Sequence, residues 1–174
     1  MKIIIIPLEI DGYLFGSGSQ MIRCEWIAPF LDADIYNRTQ NLEDYDVIIY
    51  QKAMASFEVR EMAEKYRHKL QILDLCDPEH YFRPGGVRFM AERCDIITTS
   101  NKELADDLSQ FLSRPVDVIP DRINLEKIRV NKRHENRKPV LVWFGYGDNF
   151  QYVKKLFEET KEYEHIIISD YNIG

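Results

Sequence analysis

The chain has 174 residues, somewhat more than one typical domain of about 150 residues, and is long enough to bury a hydrophobic core. Apolar residues make up 45% and charged residues 30% of it, a composition that excludes a disordered chain. The 29 acidic residues outnumber the 23 basic ones, and the resulting net charge of −6 argues against a dedicated nucleic-acid-binding protein.

The first apolar run is too short to direct secretion or to span a membrane. Ile3 to Ile6 are followed at once by a proline and then a glutamate, whereas a secretory core needs about 7–15 apolar residues and a span about 20. The three cysteines, Cys24, Cys76 and Cys94, have no CxxC spacing, which favours neither a disulfide framework nor a zinc site. We therefore expect a cytoplasmic protein with buried free thiols, no transmembrane segment and no bound metal. Peripheral association with a membrane stays open.

Short apolar runs recur along the chain and predict a parallel sheet. The runs are continuous rather than alternating, as expected for strands that helices cover on both faces. We predict strands at Ile3–Pro7, Asp46–Tyr50, Leu70–Leu75, Asp95–Thr99, Val116–Ile119, Val140–Phe144 and Ile166–Ser169, with a weaker one at Ala33–Tyr36.

Helical periodicity fills the segments between these runs. Apolar residues spaced three and four apart predict helices from Val59 to Tyr66, from Leu104 to Leu112 and from Phe150 to Phe157. A further helix is expected to begin after Ser19 and to stop near Pro29. The alternation of strand and helix predicts an α/β fold built on a doubly wound parallel sheet.

Three of these helices have a recognisable start. Ser56 is the expected N-cap of the helix that contains Val59. Ser100 and Glu103 have the S-x-x-E spacing of a capping box, so Ser100 is the expected N-cap of the next one. Asp148 or the residue after it is expected to open the helix near the C-terminus.

A charge-dense stretch at residues 121–139 interrupts the alternation, and the sequence favours a solvated connection there over a phosphate-binding segment. We predict a first domain at 1–125, a linker at 126–138 and, at 139–174, the opening of a second α/β unit. That unit has only about 35 residues, too few for a core of its own.

Three loops are candidate sites, because ligands of doubly wound sheets bind beyond the carboxyl ends of the strands. The first holds Gly16, Ser17, Gly18 and Ser19, where glycines and a helix start would let the backbone approach an anion. It lacks the third glycine of the dinucleotide-binding fingerprint, and a loop without a ligand is the alternative. Arg23, just beyond it, could reach a phosphate or simply lie on the surface.

The second loop follows the strand Leu70–Leu75 and contains Asp74, Asp77, Glu79 and His80. Carboxylates and an imidazole there could act as acid or base or bind sugar hydroxyls, while turn formation by Asp-Pro explains the same residues without a ligand.

The third loop contains Gly145, Tyr146, Gly147 and Asp148, and again either an anion site or a tight turn fits its sequence.

Four stretches carry a resemblance to a known family: GSGSQMIR, YDVIIYQK, CDIITTSNKELADDLSQFLSRPVDVIPDRINLEKI and KPVLVWFGYGDNFQYVKKLFEE. They resemble the nucleotide-sugar-dependent glycosyltransferases of the GT-B architecture, which have two facing Rossmann-like domains. The third stretch is similar to the end of the family's N-terminal domain, with a strand ending in Ser, a helix, and a strand that runs to V-I-P. The fourth is similar to the opening of its C-terminal domain.

The resemblance implies an enzyme that transfers a sugar from a nucleotide-sugar donor to a saccharide or other acceptor. The N-terminal domain would hold the acceptor and the C-terminal domain the donor, with the loops Gly16–Ser19 and Gly145–Asp148 facing the cleft between them. No cofactor is implied, because the nucleotide sugar is a substrate. Helix N-termini and basic side chains would stabilise the departing diphosphate.

The family's C-terminal domain continues further and carries an acidic E-x7-E element that this sequence lacks. We therefore expect a truncated second domain, completed by a missing C-terminal half or by a second copy of the chain. The alternative function is a non-catalytic α/β binding or regulatory module that pairs with another subunit. A receiver-like domain fits less well, because the acidic pair and the lysine that it needs are not in place.

Overall fold

The chain divides into two units, Met1–Ile128 and Arg129–Gly174. The computed structural model of the protein describes residues 1–12, 18–122 and 139–169. The predicted linker at 126–138 lies outside the described residues.

A six-stranded parallel sheet forms the centre of the first unit. Its strands are β1 (Ile3–Ile6), β2 (Ala33–Ile35), β3 (Val47–Gln51), β4 (Leu70–Leu75), β5 (Ile96–Thr99) and β6 (Asp117–Val118). They lie in the order β2-β1-β3-β4-β5-β6, and all neighbouring pairs are parallel. This confirms the predicted α/β fold with a parallel sheet, and each predicted strand of this unit is present within one residue of its expected bounds.

The helices of the first unit are mostly short. They are α1 (Gly18–Gln20), α2 (Ala28–Leu31), α3 (Phe57–Lys65), α4 (Glu79–Phe82), α5 (Pro84–Ala91) and α6 (Lys102–Leu112), with a π-helical turn at Met21–Glu25 and 3-10 turns at Leu8–Asp11 and Leu42–Asp44. The helix expected after Ser19 is therefore not continuous. Two helices, α4 and α5, were not expected from the sequence, since α4 has only four residues and α5 begins with Pro84 and two glycines.

The two faces of the sheet are covered unequally. We call the face that carries Ile4, Ile48, Leu73 and Ile97 the major face; α3, α5 and α6 bury these side chains completely or nearly so. The opposite, minor face is covered by the segment 18–31, which packs Cys24 and Ala28 against Ile5. Side chains alternate between faces along a strand, and the connections after β3 return over the major face. The isoleucines of β4 and β5 on the minor face are therefore only half-buried.

Two predicted helix caps can be compared with the structure. The Ser56 hydroxyl accepts a hydrogen bond from the backbone N–H of Val59 at 3.2 Å, which confirms Ser56 as the N-cap of α3. The prediction for α6 was wrong by one residue, because the Asn101 side chain accepts the bond from Leu104 N–H at 2.8 Å. Ser100 still belongs to the extended chain and donates to the carbonyl oxygen of Cys76.

In its described residues, 139–169, the second unit is a parallel pair of strands with one α-helix. Its elements are β7 (Val140–Gly145), a 3-10 turn at Gly147–Tyr152, α7 (Lys154–Glu159) and β8 (Glu164–Ser169). The single helix predicted from Phe150 to Phe157 is thus divided into a 3-10 turn and an α-helix.

One face of this pair is open. The ring of Phe150 lies 5.3 Å from that of Trp143 and 5.7 Å from that of Phe157, so aromatic side chains cover one side. Val142, Phe144 and Ile168 are exposed on the other. The expectation that these strands are buried on both faces is wrong for the described residues, because a two-stranded sheet with one helix has too few neighbours to cover them.

All three cysteines are free thiols; Cys24 and Cys94 are buried and Cys76 is half-buried. No helix in the described ranges is both long and apolar enough to cross a membrane.

Candidate functional site

The strand order places a topological switch point in the first unit. The chain moves from β1 outward to β2 and then crosses to β3 on the other side, so the loops after β1 and β3 diverge at the carboxyl edge of the sheet. A crevice at this point is where open α/β sheets bind ligands. Polar side chains from the loops after β3, β4 and β6, together with Arg23, gather along this edge.

Arg23 is the centre of the first network, which we call the Arg23 network. Arg23 is buried, and its guanidinium donates to both oxygens of Asp74, through Nε at 2.7 Å and through a terminal nitrogen at 2.5 Å. The remaining nitrogen donates to the carbonyl oxygen of Ile119 at 2.9 Å and to Asp121 at 2.6 Å. Thr98 adds a hydrogen bond to Asp74 at 2.6 Å. The sheet register places Asp74 beside Thr98, which explains why these groups meet.

The carboxylates around Arg23 have a larger effect on the pKa of its guanidinium than burial has. Removal from water lowers the pKa of the guanidinium, but the hydrogen bonds and negative charge of Asp74, and then those of Asp121, raise that pKa further than burial lowers it. Arg23 is therefore a permanent buried cation that fixes the position of two carboxylates.

Lys52 is the centre of the second network, the Lys52 network. It follows β3 directly, has a φ of 55°, and its backbone N–H donates to the carbonyl oxygen of Asp74 at 2.9 Å. Its ammonium group pairs with Asp77 and, at 3.1 Å, with Glu79. Burial lowers the pKa of Lys52, but the hydrogen bond that its ammonium group donates to Asp77 and the neighbouring negative charges raise that pKa overall. A non-glycine residue in the left-handed region is uncommon and points to a functional constraint.

Both networks share one design, a buried cation that anchors a half-exposed carboxylate. The Arg23 side chain is 2% exposed and its partner Asp121 is 47% exposed. Lys52 is 9% exposed and its partner Asp77 is 55% exposed. Each carboxylate keeps lone pairs for a hydrogen bond from solvent or from a ligand. The edge therefore presents fixed acceptors for hydroxyl groups.

His80 is directed away from the other predicted residues of its loop. It is buried, its Nε2 lies 2.9 Å from Asp107 of α6, and its ring packs 5.2 Å from that of Phe111. Tyr81 donates to the same carboxylate at 2.7 Å, and this bond, followed by that of His80, lowers the pKa of Asp107. These contacts attach α4 to α6. The substrate contact predicted for His80 stays a prediction.

Gln51 has a buried side chain without a partner. It is fully buried at the end of β3, and its register neighbour in β4 is Asp74. Within the described parts of the chain, neither amide atom of Gln51 has a hydrogen-bond partner. A buried polar group in this condition requires an explanation, because leaving it unpaired costs about 1–3 kcal/mol.

Cys76 lies beside these networks but is a poor nucleophile. Burial, and then the charge of Asp77, raises the pKa of its thiol to about 12, while Lys52 opposes this shift. Since the thiolate is the reactive form, the thiol is inert at neutral pH.

The glycine-serine loop can be followed only in part, because Gly16 and Ser17 lie outside the described residues. Gly18 begins α1 and is exposed, and a Cβ there would meet no atom within 4 Å. Ser19 is half-buried in the same short helix. The ligand contact predicted for this loop stays a prediction.

The loop after β7 forms a tight turn, in which the Asn149 N–H donates to the carbonyl oxygen of Tyr146 at 2.8 Å. A Cβ on Gly145 would lie 2.9 Å from the Trp143 ring, so packing explains this glycine. Gly147 is buried, Tyr146 is exposed, and the Asp148 carbonyl oxygen accepts a bond from Gln151. The anion-binding role predicted for Gly145–Asp148 stays a prediction.

Sequence reasoning missed three residues of the edge: Gln51, Lys52 and Asp121. The sequence does contain an indication of Gln51 and Lys52. They form a polar pair directly after a predicted buried strand, and ligands of such sheets bind beyond the carboxyl ends of the strands. Asp121 was counted with the charged connection. Its pairing with Arg23 joins residues 98 positions apart, which no local pattern indicates.

The described residues contain no group of three or more His, Cys, Asp or Glu side chains that could hold a metal ion. Comparison with protein-family models, with curated proteins and with solved structures finds no match for this chain.

Proposed function

We propose that the protein is a glycosyltransferase chain that transfers a sugar from a nucleotide-sugar donor to a hydroxylated acceptor, with the acceptor held by the first unit. The observation that carries this proposal is the pair of half-exposed carboxylates, Asp77 and Asp121, each anchored by a buried cation at the carboxyl edge of a parallel sheet. Hydroxyl groups are the ligands that suit such fixed acceptors. The resemblance to GT-B enzymes supplies the reaction type.

The charges of the edge support an acceptor site rather than a donor site. Arg23 and Lys52 are already neutralised by carboxylates of their own unit. A diphosphate placed against them would have to displace these partners. We therefore assign the donor to the second unit, where Gly145, Tyr146, Gly147 and Asp148 are the proposed contacts.

The reaction needs one proton acceptor near the acceptor hydroxyl. The acceptor oxygen forms a bond to the anomeric carbon while the bond from that carbon to the diphosphate breaks, and the hydroxyl proton leaves to a base. Asp77 and Asp121 are the candidates for that base. Asp74 is less suitable, because Arg23 and Thr98 already occupy it with three hydrogen bonds.

The pairing of both cations also favours a second candidate, a non-catalytic binding module. In that case the networks only stabilise the edge, and the half-exposed carboxylates meet a partner subunit.

Thermal denaturation of the full chain with UDP-, GDP- and dTDP-linked sugars separates the two functions. We expect at least one nucleotide sugar to raise the melting midpoint, since a ligand that binds only the native state stabilises it. With that donor, D77N and D121N should raise the acceptor KM about tenfold or more, the loss expected for a charged hydrogen bond. The matched control is D106N, because Asp106 is a carboxylate paired with Lys102 on the surface of α6. The absence of any shift with all three donor classes would support the binding module.

A further inference from the structure

The minor face of the first unit contains a small cavity. Its volume is about 160 Å³. Ile5, Ile49 and Ile72 form its floor on three neighbouring strands, and Ile27 and Leu31 form its roof. Leu31 is 40% and Ile119 49% exposed, so the cavity opens to solvent beside them. A cavity of about this volume can take up a molecule of the size of benzene.

One end of this cavity is polar. Arg23, Asp74 and Thr98 line it there. Asp74 accepts three hydrogen bonds and Thr98 donates its proton to Asp74, so what both still offer is acceptor capacity. A ligand group that fits this end is a hydrogen-bond donor, and a carboxylate would be repelled by the Asp74 charge.

Gln51 is not itself a lining residue, but it is the register neighbour of Asp74, which lines that end. It projects from the minor face, because it lies two residues beyond Ile49 on β3. Its amide is buried without a partner within the described residues. A hydroxyl group that donates to Asp74 or Thr98 could accept a bond from the Gln51 amide nitrogen, which would pair an amide that has no partner among the described residues.

From these observations we propose that the cavity binds the apolar, hydroxyl-bearing part of a small molecule, an alcohol or phenol of about the size of cresol. The proposal rests on the function proposed above and specifies its acceptor. The acceptor is then not a saccharide, since a sugar ring would place hydroxyl groups against three isoleucines. Its hydroxyl lies on the side of the Arg23 network, toward the carboxyl edge where the transfer would occur.

NMR of the full chain, labelled at the isoleucine methyl groups, tests this directly, with p-cresol, toluene and methyl glucoside as probes. We expect p-cresol to shift the methyl signals of Ile5, Ile49 and Ile72 in a saturable way. Toluene should bind more weakly and methyl glucoside should leave these signals unchanged. No shift with p-cresol, shifts spread evenly over all isoleucines, or equal affinity for p-cresol and toluene would overturn the proposal.

Three variants refine the test. I72F should fill the cavity and abolish the p-cresol shifts, whereas I96F, a half-buried isoleucine on the same face that does not line the cavity, should retain them. Q51M should weaken p-cresol binding roughly three- to tenfold and leave toluene binding unchanged. It should also raise the melting midpoint of the free chain by about 2–4 °C, because it removes an unpaired buried amide. Unchanged p-cresol affinity in Q51M would contradict the assigned hydrogen bond.

Failure of the cavity proposal can be distinguished from failure of the proposed function, because p-cresol binding and nucleotide-sugar binding are measured separately. A chain that is stabilised by a nucleotide sugar but does not bind p-cresol at these methyl groups retains the transferase proposal and overturns the cavity assignment. A chain that binds p-cresol and no nucleotide sugar supports the cavity and contradicts the transferase.

Discussion

The two units contain nearly the same apolar strand and bury it very differently. Ile3 to Ile6 in β1 are all buried, whereas Ile166, Ile167 and Ile168 in β8 are 41%, 41% and 58% exposed. In the first unit β1 lies between β2 and β3 with helices over both faces. In the second unit β8 has one neighbouring strand. A run of isoleucines thus predicts a strand, but its burial depends on how many elements surround it.

The same contrast applies to charge. In the first unit two cations are buried among carboxylates, while the ion pair Lys155–Glu159 of the second unit lies on the surface at 3.6 Å. Removing one partner of a buried pair leaves an uncompensated buried charge and is strongly destabilising, whereas removing one partner of a surface pair has little effect. The candidate site depends on the first kind.

The largest expected effect is the loss of Asp74. D74A leaves Arg23 buried with only Asp121 as an ionic partner, and we expect it to lower the free energy of unfolding by about 3–5 kcal/mol. E159A, which removes the surface pair of the second unit, should lower it by less than about 0.5 kcal/mol. Urea denaturation of the full chain measures both values. Similar losses in the two variants would show that the Arg23 network is not a buried network in solution.

The next largest effect on the free energy of unfolding is expected when an apolar side chain of a strand is shortened. L73A should cost about 2–5 kcal/mol, because Leu73 is fully buried in β4 and its removal leaves a cavity. I168A should cost less than about 1 kcal/mol, because more than half of Ile168 is exposed. The same denaturation experiment applies. A loss for I168A as large as that for L73A would mean that the open face of the second unit is covered in solution.

A smaller effect distinguishes the two candidate caps of α6. N101A should lower the free energy of unfolding by about 1 kcal/mol, since it removes the bond to Leu104 N–H. S100A is the matched control and should have little effect. In the second unit the N-cap residue of α7 is Val153, which makes no side-chain capping hydrogen bond, so V153A provides a comparison in which no cap is lost. A larger loss in S100A than in N101A would restore the capping box that the sequence predicts.

An effect confined to one pH range is a dependence of the unfolding free energy on alkaline pH. The folded-state pKa of Cys76 is raised from 9.0 to about 12, so above pH 9 the thiol ionises in the unfolded state before it does in the native state. Its contribution is fully present below pH 9 and is lost as the pH rises from 9 toward 12. The decrease in unfolding free energy over this range should therefore be smaller in C76S than in the wild type. An equal decrease in both proteins would exclude a buried thiol at this position.

Local patterns predicted the elements of the first unit well, for a physical reason. A strand that is buried on both faces needs an unbroken apolar run, and each such run became a strand of the sheet. The helix α5 was missed because Pro84, Gly85 and Gly86 suggest a loop. Proline is nevertheless compatible with the first helical turn, and a Cβ on Gly86 would approach the Met54 carbonyl oxygen to 3.4 Å.

The candidate site was only partly predictable, because its contacts join distant residues. Arg23 and Asp74 were both identified as candidates, yet nothing in their patterns shows that they pair across 51 positions. His80 was assigned to the same loop, but its partner Asp107 lies on α6. Such pairings follow from register and from the direction of each crossover, which are properties of the assembled sheet.

The central claim is that the first unit binds a hydroxylated acceptor for sugar transfer. The most direct measurement is mass spectrometry of the products after the full chain is incubated with UDP-, GDP- and dTDP-linked sugars and a set of phenols, alcohols and simple saccharides. We expect a product heavier by one sugar residue from a phenol or alcohol, formed more slowly by D121N and at an unchanged rate by D106N. A product from saccharides alone would retain the transferase and overturn the cavity assignment, whereas no product from any combination would contradict sugar transfer by this chain.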